Sequence, residues 1–306
     1  MTCGTLSIDV SIVVVNWNVA ALLDACLRSI ESERVRGNLS IEVIVVDSAS
    51  DQQDFREVVA SYPGARLIEL SENRGYGAAS NAGIGLAQGK AVLVLNPDIE
   101  LLPSSLQLLW DTLHLSAHIG MVAPLLLNAD LTLQSSGYRF PGAANVFFDL
   151  VPVPPRLYGS TLNGRVSAGN GQLTVAIDYA LGAALFLRRS ALLDIGVFDK
   201  SYFMYSEEVD LQRRLAEHGW TRLLAPDARM IHHGGQSTGQ RVNDMHAALW
   251  CSRAQYFERW ASPRQQQLVR MLVSVGTRLQ DRGAPGRQNV NNHIRDRFRR
   301  TARSGS

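Results

Sequence analysis

The sequence predicts an α/β fold, a mostly parallel sheet with helices on both faces, followed by a helical C-terminal extension. Three observations predict it. Apolar, largely β-branched runs at residues 10–15 (VSIVVV), 41–46 (IEVIVV) and 91–95 (AVLVL) suit strands buried on both faces. Helical spacing follows the first of them, in Leu23, Cys26, Leu27 and Ile30. Strand and helix then alternate, and polar clusters close successive strands, as an open parallel sheet with a ligand at one edge requires.

Each element can be justified in turn. The first strand ends in Asn16, Trp17 and Asn18, and Asn18 is expected to cap the following helix. The second ends in Asp47, with Ser48, Ser50 and Asp51 close behind. A short helix near 54–61 and a third strand at 66–70 lead to a Gly-rich turn, Asn73 to Gly75, and a small-residue helix. Strand 91–95 runs into Asn96, Pro97 and Asp98, where proline ends the strand and holds Asp98 at the sheet's carboxyl edge. A carboxylate there is a hard oxygen ligand, suited to Mg²⁺ or Mn²⁺ carrying a diphosphate, or else a turn cap. Asp47 at a neighbouring edge can accept the ring N–H of a uracil or thymine. The glycines at 75 and 77 do not form GxGxxG, which argues against a dinucleotide site.

Beyond Leu101, Pro103 should begin a helix to about 117, with a strand at 121–126. Residues 134–172, rich in Gly, Pro and Ser, read as a mobile surface excursion. Strand material returns around Gly182. Aromatics at Phe198, Tyr202, Phe203 and Tyr205 then precede Glu207, Glu208 and Asp210 at a helix start. Acidic residues suit a helix N-terminus for dipole reasons alone, but a partly desolvated carboxylate behind four aromatics can serve as a general base. His232 and His233 sit at a strand end and point to opposite faces, so at most one enters a given site. Residues 245–280 are helical, interrupted at Ser262-Pro263, and Leu268, Met271, Leu272 and Val275 form an amphipathic face that fits either packing on the domain or a membrane surface.

At 306 residues the chain has room for a substantial core, and 46% hydrophobic with 19% charged residues is ordinary for a soluble protein. No apolar run is long enough to span a bilayer, the first residues do not read as a secretory signal, and three scattered cysteines suit a reduced, cytoplasmic chain. No nucleic-acid partner is expected. The net charge of +2 is uneven: residues 281–306 hold seven arginines against two aspartates, so the rest of the chain carries −3. That basic end is expected to be flexible and solvated, or to meet anionic lipid.

Seven stretches in one order and spacing, VVVNWN, VVDSASD, ENRGYGAASN, LNPDIEL, LGAALFLRRSALLDIGVFD, FMYSEEVDLQRRL and IHHGGQST, resemble the inverting family 2 glycosyltransferases of GT-A fold, with a Rossmann-like sheet, and among them the bacterial rhamnosyltransferase branch. The resemblance implies a glycosyltransferase domain over residues 1–260, with a nucleotide-binding half at about 1–130 and an acceptor and catalytic half at about 173–260. An amphipathic helix at 261–280 and the basic tail at 281–306 would follow. It implies that Asp47 reads the base, that Asp98 and His232 hold the divalent metal, and that Glu208 is the catalytic base, with Glu207 and Asp210 as rivals. Asn16, Asn18, Asn73, Gly75 and Asn81 are expected against the nucleotide sugar, and Gly182, Ala183, Glu207 and Trp250 on the acceptor side. Three positions depart from the family pattern: Asn96 replaces the first acidic residue of the metal motif, Glu208 the usual aspartate, and Ser48 the usual asparagine.

The reaction implied is transfer of rhamnose from dTDP-rhamnose, or of a hexose from a UDP-sugar, to a saccharide or lipid-linked acceptor in cell-surface polysaccharide synthesis, with peripheral contact at the inner membrane. A sugar nucleotidyltransferase would need a basic Gly-rich loop near the N-terminus, which VVVNWN does not offer. An inactive nucleotide-binding scaffold would bind donor without turning it over.

Overall fold

The computed structural model describes residues 7–151, 154–167, 174–234, 242–283 and 288–300. The first half runs β1 (Val10–Asn16), α1 (Ala20–Arg36), β2 (Ile41–Asp47), α2 (Phe55–Ala60), β3 (Ala65–Glu69), α3 (Tyr76–Ile84), β4 (Ala91–Leu95), β5 (Ile99–Leu101), α4 (Ser105–His114) and β6 (Ile119–Leu127). There follow β7 (Gly137–Tyr138), α5 (Ala143–Leu150), α6 (Pro155–Tyr158), β8 (Arg165–Val166), β9 (Val175–Ala176), β10 (Tyr179–Ala180) and β11 (Ala184–Arg188). The chain closes with α7 (Arg189–Ile195), α8 (Glu207–Glu217), β12 (Thr221–His232), α9 (Val242–Trp260), α10 (Pro263–Gly283) and α11 (Gln288–Arg300).

The main sheet has the order β3-β2-β1-β4-β11-β6-β12-β5, with β9 paired to β12. Strands β3, β2, β1 and β4 are parallel, as the buried runs predict. The sheet is mixed beyond them: β11 lies antiparallel between β4 and β6, and β5 antiparallel on β12. The chain enters β11 from the carboxyl edge of β4, where Asn96 N–H donates to Ala183 C=O at 2.9 Å, and so must run backwards along it. Alternate residues of each strand serve opposite faces. Val10, Ile12, Val14, Val43 and Val45 pack with α1, α2 and α4, whereas Val13, Val15, Ile44 and Val46 pack with α3, α7 and α8. A third cluster unites α5, α9, α10 and α11 through Val146, Leu150, Trp250, Val269, Val273, Ile294 and Phe298.

Four expectations change. Asn18 is not a helix cap: it takes φ 55 and its side chain meets Asp51, while α1 begins at Ala20. Helix α4 begins at Ser105 rather than Pro103, because Ser104 adopts φ 68 and the α1 residue Glu33 supplies the cap, accepting from Ser104 N–H (2.8 Å) and Leu106 N–H (3.0 Å). The supposed surface excursion supplies β7 and β8 of a small sheet, β10-β7-β8, and a helix, α5, whose Val146 and Leu150 are buried one turn apart; residues 152–153 and 168–172 of it lie outside the described residues. Within the supposed flexible tail, residues 288–300 form α11. Ile294 and Phe298 are buried, and Arg295 and Arg297 pair with Asp281 and Glu258 at 2.8 Å.

Candidate active site

A cleft of about 250 Å³ opens at the carboxyl edge of β1, β2 and β4. One wall brings Trp17, Ser48, Asn73 and Tyr76 from the ends of β1, β2 and the Gly-rich turn; the floor is Asn96, Pro97 and Asp98. Gly182 and Ala183, then Met204, Tyr205, Glu207 and Glu208, form the opposite wall, and His232 closes the end. The topology explains the convergence: β1 lies between β2 and β4, so helices leave to opposite faces and a crevice opens between them.

At one end of the cleft, Asp98 is buried and its Oδ1 has no hydrogen-bond partner. His232 Nε2 faces that oxygen at 3.5 Å. The other ring nitrogen, Nδ1, lies 2.7 Å from Gln134 Oε1, and the Gln134 amide is oriented by its own donation to Asn128 Oδ1. An amide oxygen only accepts, so Nδ1 carries the proton and the Nε2 lone pair faces a carboxylate. Burial holds the imidazole below its ordinary value against the pull of Asp98, which keeps it neutral. Two lone-pair donors facing each other with no proton between them fit a cation. His233 turns the other way, as strand alternation predicts, to Glu100 Oε1 at 2.6 Å. Among the described residues no group of three or more His, Cys, Asp or Glu is arranged to hold a metal. A two-ligand site needs substrate oxygens and water to complete it, the usual habit of Mg²⁺.

The opposite wall hangs on α8. Tyr205 and Ser206 both adopt left-handed backbone, φ 68 and 65, before the helix begins. Two such non-glycine residues in sequence cost on the order of 1–3 kcal/mol each and aim the first turn of α8 into the cleft. Gln212, fully buried, fastens that turn to β10: its amide exchanges bonds with Ala180 N–H (2.6 Å) and C=O (2.9 Å) and donates to Glu208 C=O (2.9 Å). Gly182 lies against Glu208; a Cβ there would approach Glu208 Cγ to 3.2 Å. Burial raises the Glu208 carboxyl to about 7, despite backbone N–H groups at the helix start and the Arg253 charge. Burial, and then the Glu208 charge, push Glu207 well above the ordinary glutamate value, and its Oε2 has no partner.

Asn73, Asp98, Gly182, Ala183, Glu207, Glu208 and His232 therefore line one cleft. Gly75 supports it: φ is +89, a Cβ would lie 1.7 Å from Phe203 C=O, and Tyr76 N–H donates to that same oxygen. Asp47 and Asn16 stand behind the lining as a buried pair at 2.8 Å, with Ser50 completing the Asp47 carboxylate through N–H and hydroxyl.

Four expected positions lie elsewhere. Asn18 clasps the β2 loop through Asp51. Asn81 is spent on the Phe198 backbone, donating to its C=O (2.8 Å) and accepting from its N–H (3.0 Å). Asp210 is absent from the cleft lining and is engaged by Arg214 (2.9 Å), Arg259 (3.0 Å) and Trp260 Nε1 (2.9 Å). Trp250 is buried in the third cluster, edge-on to Phe298. Conversely, Trp17, Tyr76, Leu181, Met204 and Tyr205 line the cleft unforeseen. An aromatic inside a Gly-rich turn was the available signal for Tyr76, whose hydroxyl donates to Gly182 C=O at 2.9 Å and ties the two walls together.

A mixed α/β sheet thus carries a carboxylate-histidine pair on one side of its switch-point cleft and Glu207 and Glu208 on the other. Residues 11–126 match the Glycosyl transferase family 2 profile. The chain is 32% identical over 213 residues, 65% of its own length and 69% of the relative's, to an N-acetylglucosaminyl-diphospho-decaprenol L-rhamnosyltransferase of Mycobacterium tuberculosis. A low-salt glycan biosynthesis hexosyltransferase of Haloferax volcanii is 27% identical over 211 residues, 67% of this chain and 61% of that one. Among solved structures, GalNAc-T7 with UDP, GalNAc and Mn²⁺ superposes with a TM-score of 0.66 at 14% identity, over 96% of this chain and 55% of that one. A mannosyltransferase of Pyrobaculum calidifontis with GDP-Man and Mn²⁺ gives 0.58 at 16%, over 97% and 87%. The chain belongs to glycosyltransferase family 2 and is a rhamnosyltransferase-like member of it.

Proposed function

We propose that this glycosyltransferase moves rhamnose from dTDP-rhamnose, with inversion, to a saccharide or lipid-linked acceptor at the cytoplasmic face of the inner membrane. The observation that carries the chemistry is a cleft lined by buried, unpartnered oxygens: Ser48 Oγ, Asp98 Oδ1 and Glu207 Oε2. Buried polar atoms without partners are rare in native proteins, and a polar ligand supplies what these lack. The donor sugar rests on likeness to the mycobacterial rhamnosyltransferase.

Asp98 and His232 are the residues that would hold Mg²⁺ or Mn²⁺. A divalent cation bound there supplies neutralising charge for the departing diphosphate. Ser48 and Asn73 flank the nucleotide, and Asp47, braced by Asn16 and Ser50, is the candidate reader of the base. Glu208, whose carboxyl burial pushes up to about 7, takes the proton from the attacking acceptor hydroxyl. Glu207, whose carboxyl burial pushes up and whose Oε2 is unpartnered, is placed to hydrogen-bond a sugar hydroxyl.

A nucleotide-sugar panel followed by thermal shift and product analysis, with and without Mn²⁺, tests this reading. Ligand at about 100 times its dissociation constant adds roughly 2.7 kcal/mol, a readily visible shift. dTDP-rhamnose should give the largest Mn²⁺-dependent shift and be consumed, and Asp98→Asn should lose the Mn²⁺-dependent part while melting near wild type without ligand. If a UDP-hexose is bound and turned over while dTDP-rhamnose is not, the donor assignment is wrong.

A further inference from the structure

Helix α10 has two apolar faces. Val269, Val273 and Thr277 are fully buried on one, against α5, α9 and α11. On the other, Leu268, Met271, Val275 and Leu279 are 42, 56, 51 and 48% exposed. At about 100° per residue these four fall within an arc of about 80°, a continuous stripe along the helix. Four large side chains left in water at regular spacing are not the scattered surface leucines of an ordinary protein.

Charge identifies the occupant. Arg264 and Arg278 are exposed and fall at the stripe or its edge. The only carboxylate in α10 is Asp281, on the opposite side and engaged by Asn291 (2.7 Å) and Arg295 (2.8 Å). An apolar band with an arginine rim and no acid is the composition of a helix lying in an anionic lipid interface. A second copy of the chain fits poorly, since self-pairing of this face would set arginine against arginine. The helix does not cross the bilayer: no helix among the described residues is long and apolar enough.

We infer that the outer face of α10 is a docking surface for an anionic bilayer, with Leu268, Met271, Val275 and Leu279 immersed and Arg264 and Arg278 on lipid phosphates. Residues 281–306 add a net charge of +5 at the same end of the chain, with Arg295 and Arg297 already engaged by Asp281 and Glu258. The third cluster that buries the inner face of α10 also contains Tyr202 and Val209, the latter next to Glu208, so docking would hold the catalytic wall at a fixed height above the lipid. This deepens, and rests on, the membrane-side part of the proposed function.

Flotation of the full chain with phosphatidylcholine vesicles, with and without about 30% phosphatidylglycerol, tests it. Wild type should float with anionic vesicles only, and about 0.5 M salt should weaken that binding. Arg264→Gln with Arg278→Gln should lower partitioning roughly thirtyfold. Leu268→Gln, Val275→Gln and Leu279→Gln together should abolish flotation, while Leu115→Gln, an exposed leucine at the end of α4, leaves it unchanged. Unchanged melting of the stripe variant shows that it folds. No flotation of wild type, or equal flotation of the stripe variant, overturns the inference. So does a wild-type dimer that the stripe variant converts to monomer. The vesicles carry no glycan, so a failed donor assignment leaves this result standing, and the reverse.

Discussion

Three carboxylates within four residues have three fates, decided by what surrounds each. Asp210 is bound by arginines on the protein side; Glu207 lines the cleft but is buried with Oε2 unpartnered; Glu208 lines the cleft with a carboxyl that burial raises to about 7. Glu208→Gln should lower the transfer rate about 10²- to 10⁴-fold with donor affinity retained. Asp210→Asn should instead lower stability by on the order of 3 kcal/mol, since it leaves the largely buried Arg214 without its counter-charge, held by the Ile195 and Val197 carbonyls, with less from the better-solvated Arg259. Steady-state kinetics and melting of the two variants separate the roles; a rate loss without destabilisation in Asp210→Asn would make Asp210 the base. The pH profile gives a second check. A base must be ionised, so kcat/KM should rise with pH and level off above about 7. Stability runs the other way. A carboxyl raised on folding binds more protons folded than unfolded between 4.5 and about 7, so its favourable contribution fades as pH rises through that window. Glu208→Gln should therefore melt above wild type at pH 8, and the gap should close toward pH 4.5.

At the scale of elements, the strands and their carboxyl ends were legible because their signals are local. A β-branched run followed by Asn-Pro-Asp needs no distant residue to be read as a buried strand ending in a fixed carboxylate. The expected roles of Asp98, His232, Glu208 and Gly182 came instead from the resemblance of seven ordered stretches, and the four residues line one cleft. The two-residue strands β7, β8 and β10 have no period to detect, and neither Glu33 capping α4 nor Asn81 clasping Phe198 leaves a local trace. The partners of Asp210 were half legible for the same reason: Arg214 is one turn away, but Arg259 and Trp260 arrive about fifty residues later. Gln212 shows how such links set function. Gln212→Leu keeps the volume but leaves Ala180 N–H and C=O unpaired, at about 1–3 kcal/mol each. Because the same amide holds the first turn of α8, kcat should fall more than donor affinity. Equal losses in both would mean that Gln212 supports the fold without aligning Glu208.

For the whole molecule, the question is whether the C-terminal helices are an appendage or part of the catalytic domain. Sequence periodicity separates α10 from what precedes it at Ser262-Pro263, which suggests an appendage. The packing argues otherwise, since Val269, Val273, Ile294 and Phe298 are buried in one cluster with Tyr202, Val209 and Trp250. Burying an aliphatic or aromatic side chain of this kind contributes about 1.5–3 kcal/mol, so these four alone approach roughly 6–12 kcal/mol as an upper bound. Whole domains are stable by only about 5–15 kcal/mol. Removing residues 261–306 should therefore do more than release the chain from lipid. It should uncover the apolar flank of α8, lower the melting temperature sharply and abolish transfer to a soluble acceptor analogue. Substituting the exposed stripe of α10 should leave both intact. A truncated chain that melts like wild type and turns over donor at the normal rate would show that the first 260 residues stand alone, and that α10 and α11 serve only as an attachment.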